Sequence, residues 1–600
     1  MLLLSTILLT LALSSLENGA LCAGDQVSFS HAMDPDPVGD ILDDNFEAWL
    51  NETGYNWGMK GVAIAVTRKN EDGEGWTTET KGYGVANRWG DPVNEETLFL
   101  IGSNSKLFTA LGVGLLTANE SIPVNWNTKI KDIVPESLWN LQDQIARDHA
   151  DFVDILSHRT GLPRHDQSYD QTDTPASATA KLRYLRPSTE FRETFQYNNQ
   201  MYVLADHIIS NLSGMPFTTY IERNIIAPAG LKSTTHNITN AIQSGNIAEG
   251  FVDTGRDEER GEGKQKIRFK PIPFWDAATG YMIAGAGGVL SNAKDLATWL
   301  QVLLLSGKSP ETNETVIPSE IIDKVALGVT LIAAKPFAPE LSSLVYGMGQ
   351  WRYTYQGHDL IEHGGATLGH FSVVSRAPQD GVGIAVTINS QTDGPLLSLI
   401  KWKLLEKTLG LKTIDWEGRH INATKSKNST QPHHSDGTST TLPIDDLAGL
   451  YFNPGYGPIT LCPYPSSNQP LRKECEGAIS EALLPSLNDS TLSTPVLVAA
   501  WPKVWTTHMV LRHTSRDRFG VTSMIAFPAP FPDALKTDDN SRPFAIAADQ
   551  ASVEFVFSKD GGAPRVEGVA CRDIWGPGEG VVGPTEGGRE GAEVWFDRVA

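Results

Sequence analysis

Two pairs of strand patterns, held far apart in the chain, constrain the fold more than any other feature. GVAIAVT (61–67) and the stretch from Trp76 to Val85 read as two strands joined by a turn at Asn70 to Gly75. Strand patterns return at HFSVVSR (370–376) and GVGIAVTI (381–388), with an Asp-Gly turn signal between them. Between these ends the period is largely helical. Leu107, Leu111 and Leu115 recur at helical spacing, and 201–212 and 292–305 behave alike. The amphipathic stretch PLLSLIKWKLLEKTL (395–409) closes the section as a helix. Strands at both ends with helices between them predict an α+β unit rather than a βαβ repeat. Its layout would be one antiparallel sheet flanked by helices and holding a large helical insertion.

A chain of 600 residues is too long for one core, so two or three domains are expected. The α+β section is assigned to 24–412. Residues 413–441 contain INATKSKNSTQPHHSDGTSTT, polar and Ser/Thr-rich, and read as a linker. From 442 to 600 short apolar stretches (LAGLYF, PITLC, VLVAAW, THMVLRH, VEFVFS, EVWFD) alternate with Gly/Pro turns. That pattern predicts an all-β, barrel-like domain or a small sandwich. The Gly-rich stretch 576–592 reads as a long loop.

The first 23 residues read as a signal peptide: Leu2 to Leu13 is almost wholly apolar, and cleavage fits after Ser14, Ala20, Cys22 or Ala23. Twelve residues fall short of the roughly 20 that span a bilayer, so secretion is expected in place of a stable membrane span. Eight N-x-S/T triplets agree with that route, at Asn51, Asn119, Asn211, Asn237, Asn313, Asn422, Asn428 and Asn488. In an oxidising compartment Cys462 and Cys475 can close a small loop, with Cys571 as an alternative partner for either. No His/Cys cluster suggests a metal, and no cofactor is expected. With 49 Lys plus Arg against 71 Asp plus Glu, the net charge is −22 and basic runs are missing. Nucleic acid and anionic membranes are poor partners for such a chain, which leaves small molecules or peptides.

A serine becomes a nucleophile only when a neighbour removes its proton. In IGSNSKLFTA, Ser103 and Lys106 are three apart at the start of a predicted helix, so both side chains share one face. The Ser103 N–H also falls in the first turn, where amides are free to bind an oxyanion. The same spacing recurs at Ser291 and Lys294, where Ser291 reads as the N-cap of the following helix. Tyr197 and Asn199 form a Y-x-N triplet; a second, Tyr451 and Asn453, lies in LYFNPGYG and reads as strand and turn.

SNSK (103–106), YNN (197–199) and HGG (363–365) stand in one order along the chain. With ILSHRTGLP (155–163), AGAGGVLSNAKDLATWL (284–300) and YGMGQW (346–351), this resembles the superfamily of serine β-lactamases, penicillin-binding proteins and related esterases. The likeness is greatest to its class C branch and covers about residues 40–412. The resemblance implies that Ser103 forms an acyl-enzyme while Lys106 and Tyr197 move protons, either one serving as base. It implies that Asn199 orients Lys106 and the substrate, and that the N–H groups of Ser103 and Ala366, next to Gly365, form the oxyanion hole. His363 would bind substrate or pack beneath the site; His158 reads as structural and His370 as a pocket-rim residue. The β-rich C-terminal section resembles lipocalin-like barrels appended to several members, which implies capping of the cleft, restriction of substrate size or homo-oligomer contacts.

The third motif departs from the K-T-G form, whose Lys and Thr help bind a substrate carboxylate. Gly364 offers no hydroxyl, and His363 is at most partly charged near neutrality. This favours an esterase, amidase or D-aminopeptidase-like enzyme over a penicillin hydrolase. With no S-D-N motif, deacylation falls to Tyr197 and Lys106 again. Acyl transfer through the same intermediate is the second enzyme reading, and a catalytically silent binding or scaffold protein the third.

Overall fold

The computed structural model describes residues 40–599 apart from 71–72, 74, 259–264, 393, 428–437, 466–474, 476–477, 488–495, 529–541, 559–561, 576–582 and 585. Both ends of the α+β section meet in one sheet. The Gly61–Lys69 strand pairs antiparallel with Trp76–Gly84 on one side and Val382–Ile388 on the other, with Ile64 opposite Val386. Among the described residues the sheet continues through His370–Ala377, His358–Thr367, Trp351–Tyr355, Leu344–Tyr346 and Thr330–Ala333, eight strands in all.

Nearly every residue of the Gly61–Lys69 and Val382–Ile388 strands is buried, which explains their continuous apolar runs: helices cover both faces. Ala293–Leu304 packs against the first, second and last of these strands in chain order, and Leu396–Thr408 lies against His370–Ala377 and Val382–Ile388. The Leu396–Thr408 helix buries Leu396, Leu399, Ile400, Trp402, Leu404 and Leu405. At about 1.5–3 kcal/mol for each fully buried large apolar side chain, packing rather than helix propensity holds it.

The insertion is less helical than its sequence predicts. Gly250–Glu258 and Gln265–Ile272 form an antiparallel hairpin that joins Ser390–Gln391 through a parallel pairing. Charged residues and a register shift between Asp253 and Arg256 break the alternation that would have revealed it. The cap before Ala293–Leu304 is also displaced by one residue. Asn292 accepts the Asp295 N–H, while Ser291 sits in a short strand and pairs its hydroxyl with Thr234.

The C-terminal section is a closed barrel of eight strands from Gly449–Asn453 to Val594–Arg598. Its lumen is filled by side chains including Tyr451, Leu511, Val521 and Phe596, which leave a void of only about 30 Å³. That is about one water's share of liquid volume, so the barrel interior is a packed core. Tyr451 and Asn453 fall in its first strand, and the Asn453 side chain accepts the Gly455 and Tyr456 N–H groups at the following turn. Cys462 and Cys475 form the disulfide, while Cys571 is a buried free thiol.

The stretch 413–441 is not wholly extended. Trp416–Lys427 is helical, and Trp416 stacks on Trp402 with centroids 5.0 Å apart. The rest of that stretch is only partly within the described residues, which also exclude Cys22, Asn428, Asn488 and residues 576–582 and 585 of the Gly-rich 576–592 run. Asn51, Asn119, Asn211, Asn237, Asn313 and Asn422 are all exposed. No helix among the described residues is long and apolar enough to cross a membrane.

Candidate active site

Ser103 lies in a single 3-10 turn, Gly102–Asn104, that leads into the Ser105–Ala118 helix. The turn is wedged against the His358–Thr367 strand, and two glycines make the approach possible. Gly102 has φ +52°, and a Cβ there would stand 2.6 Å from Ala366 N. A Cβ on Gly365 would stand 1.9 Å from the Ile101 carbonyl oxygen. Asn104 and Ser372 fasten the contact: Asn104 Nδ2 donates to Ser372 Oγ at 2.8 Å, and that hydroxyl donates to Ile101 O at 2.7 Å. The backbones of Ser103's turn and of Ala366 are thereby brought together.

The Ser103 hydroxyl receives two hydrogen bonds, from Lys106 Nζ at 2.9 Å and from the Tyr197 phenol at 2.8 Å. Lys106 is wholly buried, and its amine also donates to Ala286 O at 2.7 Å. Burial first, and then the nearby Arg164 guanidinium, hold the Lys106 pKa well below the ordinary lysine range. Burial pushes the Tyr197 phenol up, against a lowering influence of Arg164 and of the bond to Ser103. Of this pair the amine is the group whose neutral form burial favours, and the phenol keeps its proton.

Asn199 opens the Asn199–Ser213 helix, but its amide donates to Asp166 Oδ1 at 3.0 Å rather than bonding Lys106. His363 lies beneath the site. Its Nε2 accepts from Tyr346 OH at 2.9 Å, its Nδ1–H donates to Gly364 O, and its ring stacks on Trp351. Burial and the Lys106 charge bring its pKa to about 3, so this imidazole is a neutral support. His158, at φ 58°, packs its ring 4.3 Å from the Tyr197 ring and accepts the Asn198 N–H. His370 is buried, donates to Ala248 O at 3.0 Å and meets the Phe99 ring edge to face.

Sequence reasoning missed a buried ion pair beside these groups. Arg164 Nε donates to Asp166 Oδ2 at 2.8 Å, and its guanidinium stands 4.7 Å from the centroid of the Tyr197 ring. Nη2 of Arg164 is buried without a hydrogen bond; the face of the Tyr197 ring offers this cation partial compensation. Burial would raise the Asp166 carboxyl, but Arg164, Tyr169 and Asn199 together hold it below the usual carboxylate range. The signal was in the sequence. RHDQSY follows the ILSHRTGLP landmark directly and sets charged residues in an otherwise buried run.

The barrel grips this same segment. Trp505 Nε1 donates to Tyr169 OH at 2.9 Å, and that hydroxyl donates to Asp166 Oδ1 at 2.7 Å. Trp501 Nε1 bonds Gln167 at 2.9 Å, Lys503 pairs with Asp170 at 2.6 Å, and Tyr456 OH donates to His165 Nδ1 at 2.7 Å. A chain of hydrogen bonds thus runs from the barrel to the charges beside Lys106 and Tyr197. Among the described residues no group of three or more His, Cys, Asp or Glu side chains could hold a metal ion.

The family model described as Beta-lactamase matches residues 46–406, which is more than half of the chain and includes all three motifs. The chain belongs to the Beta-lactamase family. Its similarity to curated members extends past the motifs. It is 29% identical over 468 residues to "Unguisins hydrolase ungD" of Aspergillus violaceofuscus, covering 71% of this chain and 78% of that one. It is 24% identical over 351 residues to "Beta-lactamase" of Pseudomonas fluorescens, covering 55% and 88%. Among solved structures, the octameric penicillin-binding protein homologue from Pyrococcus abyssi aligns with 88% of this chain and 97% of its own, at TM-score 0.49 and 19% identity. In this Beta-lactamase-family chain the closed barrel follows the matched section.

Proposed function

We propose that the protein is a secreted serine hydrolase that cleaves an ester or amide through an acyl-enzyme on Ser103. The observation that carries this reading is the pair of hydrogen bonds converging on Ser103 Oγ, one from a wholly buried amine. In the neutral form Lys106 takes the Ser103 proton as the hydroxyl attacks the carbonyl carbon. Tyr197, protonated before and after the step, gives its phenol proton to the leaving group and receives in its place the one Lys106 took, while the N–H groups of Ser103 and Ala366 receive the developing oxyanion. The leaving alcohol or amine departs with that proton. Water then attacks the acyl carbon, Lys106 and Tyr197 repeat their roles, and the acid is released. The relative named as a hydrolase at 29% identity supports the reaction class.

The substrate differs from that of a penicillin hydrolase because the third motif carries no carboxylate-binding Lys and Thr, and His363 is neutral and engaged below the site. The apolar leader and the exposure of the six described sequon asparagines support export with glycosylation. The test is turnover of a p-nitrophenyl ester and of a p-nitroanilide amide by the wild type and Ser103→Ala. Loss of at least about 10³-fold in kcat/KM in the variant supports the reading. Equal rates in both proteins overturn it.

A further inference from the structure

Next to Ala366 lies a cavity of about 300 Å³ that neither the motifs nor the proton-transfer groups account for. Its walls come from both parts of the chain. Phe274, Trp275 and Phe371 line it from the catalytic section; Trp505, Ile525 and Phe527 line it from the barrel. Trp275 and Trp505 meet edge to face across the seam with centroids 5.5 Å apart. Ile525 and Phe527 pack in one cluster with Leu368, Val252 and Ile272, so these barrel side chains point at the catalytic section. Ala366 and Asp166 also line it, and the Asp166 carboxylate is already occupied by Arg164, Tyr169 and Asn199.

We infer that this cavity is the substrate pocket for a bulky apolar group, aromatic or long aliphatic, on one side of the scissile ester or amide, and that the barrel supplies its outer wall. The inference rests on the reading of Ser103 as nucleophile. Three features carry it. The space is large enough for an aromatic ring, since ligand pockets begin near 300 Å³. Aromatic and aliphatic side chains make up most of its wall, beside polar ones such as Gln167, Thr507 and Asp549, and transfer of an apolar group from water onto the apolar part is favourable in proportion to the area covered. Ala366 lines it, and the Ala366 backbone lies against the turn that carries Ser103, so a group held there sits beside the attacked carbonyl. The barrel lumen, by contrast, has no room for a ligand. The barrel therefore acts on substrates through its outer surface.

The test uses the full-length protein and three esters followed by pH-stat: methyl acetate, methyl 3-phenylpropanoate and 2-phenylethyl acetate. The second places the ring on the acyl side and the third on the alcohol side. The expected result is a kcat/KM for one of the ring-bearing esters roughly tenfold or more above methyl acetate. Ile525→Trp, which fills the cavity from the barrel side, should collapse that ratio toward one. Should this variant not fold, Phe527→Ala removes part of the wall and should lower the ratio severalfold. A wild-type ratio near one for both ring-bearing esters, or a ratio that survives the substitution, overturns the inference. Failure of the underlying reading looks different: in that case turnover of every ester is the same in Ser103→Ala as in the wild type.

Discussion

Ser103 and Lys106 share one turn of chain, while Tyr197 comes from a distant part of it. The fold then places both proton carriers within hydrogen-bond reach of one hydroxyl. Arg164 and Asp166 escaped because their role depends on burial and on which ring the guanidinium covers, neither of which a short motif encodes. The resemblance implies that Asn199 orients Lys106 and the substrate, and the fold adds a bond from its amide to Asp166 of this ion pair. The pair has a testable signature of opposite sign at its two ends. Around Lys106 and Tyr197 the other titratable neighbours, His158, His363, Tyr202 and Tyr346, are neutral: burial holds the histidines well below and the tyrosines well above their ordinary values. Arg164 lowers the Lys106 pKa and Asp166 raises it. Activity that needs the neutral amine falls as pH drops through the Lys106 pKa. Arg164→Gln should therefore move the acidic limb of kcat/KM to higher pH, and Asp166→Asn should move it to lower pH. Asp549 also faces Arg164 from the barrel and should be left intact in both variants. Limbs that stay in place, or move in the same direction, would show that the pair acts on packing alone.

At the scale of elements, the two ends of the sheet were readable because strands buried on both faces leave continuous apolar runs. The Gly250–Glu258 and Gln265–Ile272 hairpin was not, since charged residues and an irregular register obscure its period. The helix at Trp416–Lys427 was also hidden. Its sequence is polar, and it is docked by the Trp402–Trp416 stack and by Arg419 pairing with Glu340 at 2.8 Å rather than by an apolar stripe. The junction between the Ser103 turn and the His358–Thr367 strand is the element contact on which the chemistry depends. Gly365→Ala would force its methyl against the Ile101 carbonyl, and backbone cannot yield as a flexible side chain can. The expected cost is about 2–4 kcal/mol of stability, read from denaturant midpoints, with loss of Ser103-dependent turnover. A Gly365→Ala protein with wild-type midpoint and activity would mean that the turn and strand are not in contact.

Across the whole molecule, one apolar core extends from the helical part of the catalytic section into the barrel, joining Tyr169 and Leu185 to Tyr456, Trp501 and Phe596. The existence of a β-rich unit could be read from its short strands and turns, but its closure and its seating on residues 165–171 depend on tertiary contacts. Calorimetry should accordingly show one cooperative transition for both units; two well-separated transitions would contradict a shared core. Buried neutral histidines add a pH dependence. Burial takes His363 to about 3 and His165, His236 and His370 to about 4. Each must stay uncharged to remain buried, so stability is complete above the unfolded value near 6.5 and is lost as pH falls toward 4. Denaturant midpoints should fall between pH 7.5 and pH 5, by about 1 kcal/mol or more for each histidine, and a flat profile would contradict the neutral assignments.

The central claim is an acyl group carried on Ser103, and it is tested most directly by stopping the reaction with acid during turnover and mapping adducts by peptide mass spectrometry. A p-nitrophenyl ester and a p-nitroanilide amide serve as the two acyl donors. The account predicts an acyl mass on the peptide containing Ser103, absent in Ser103→Ala and strongly reduced in Lys106→Ala. Turnover with no adduct on that peptide, or an adduct that persists elsewhere when Ser103 is replaced, would contradict it.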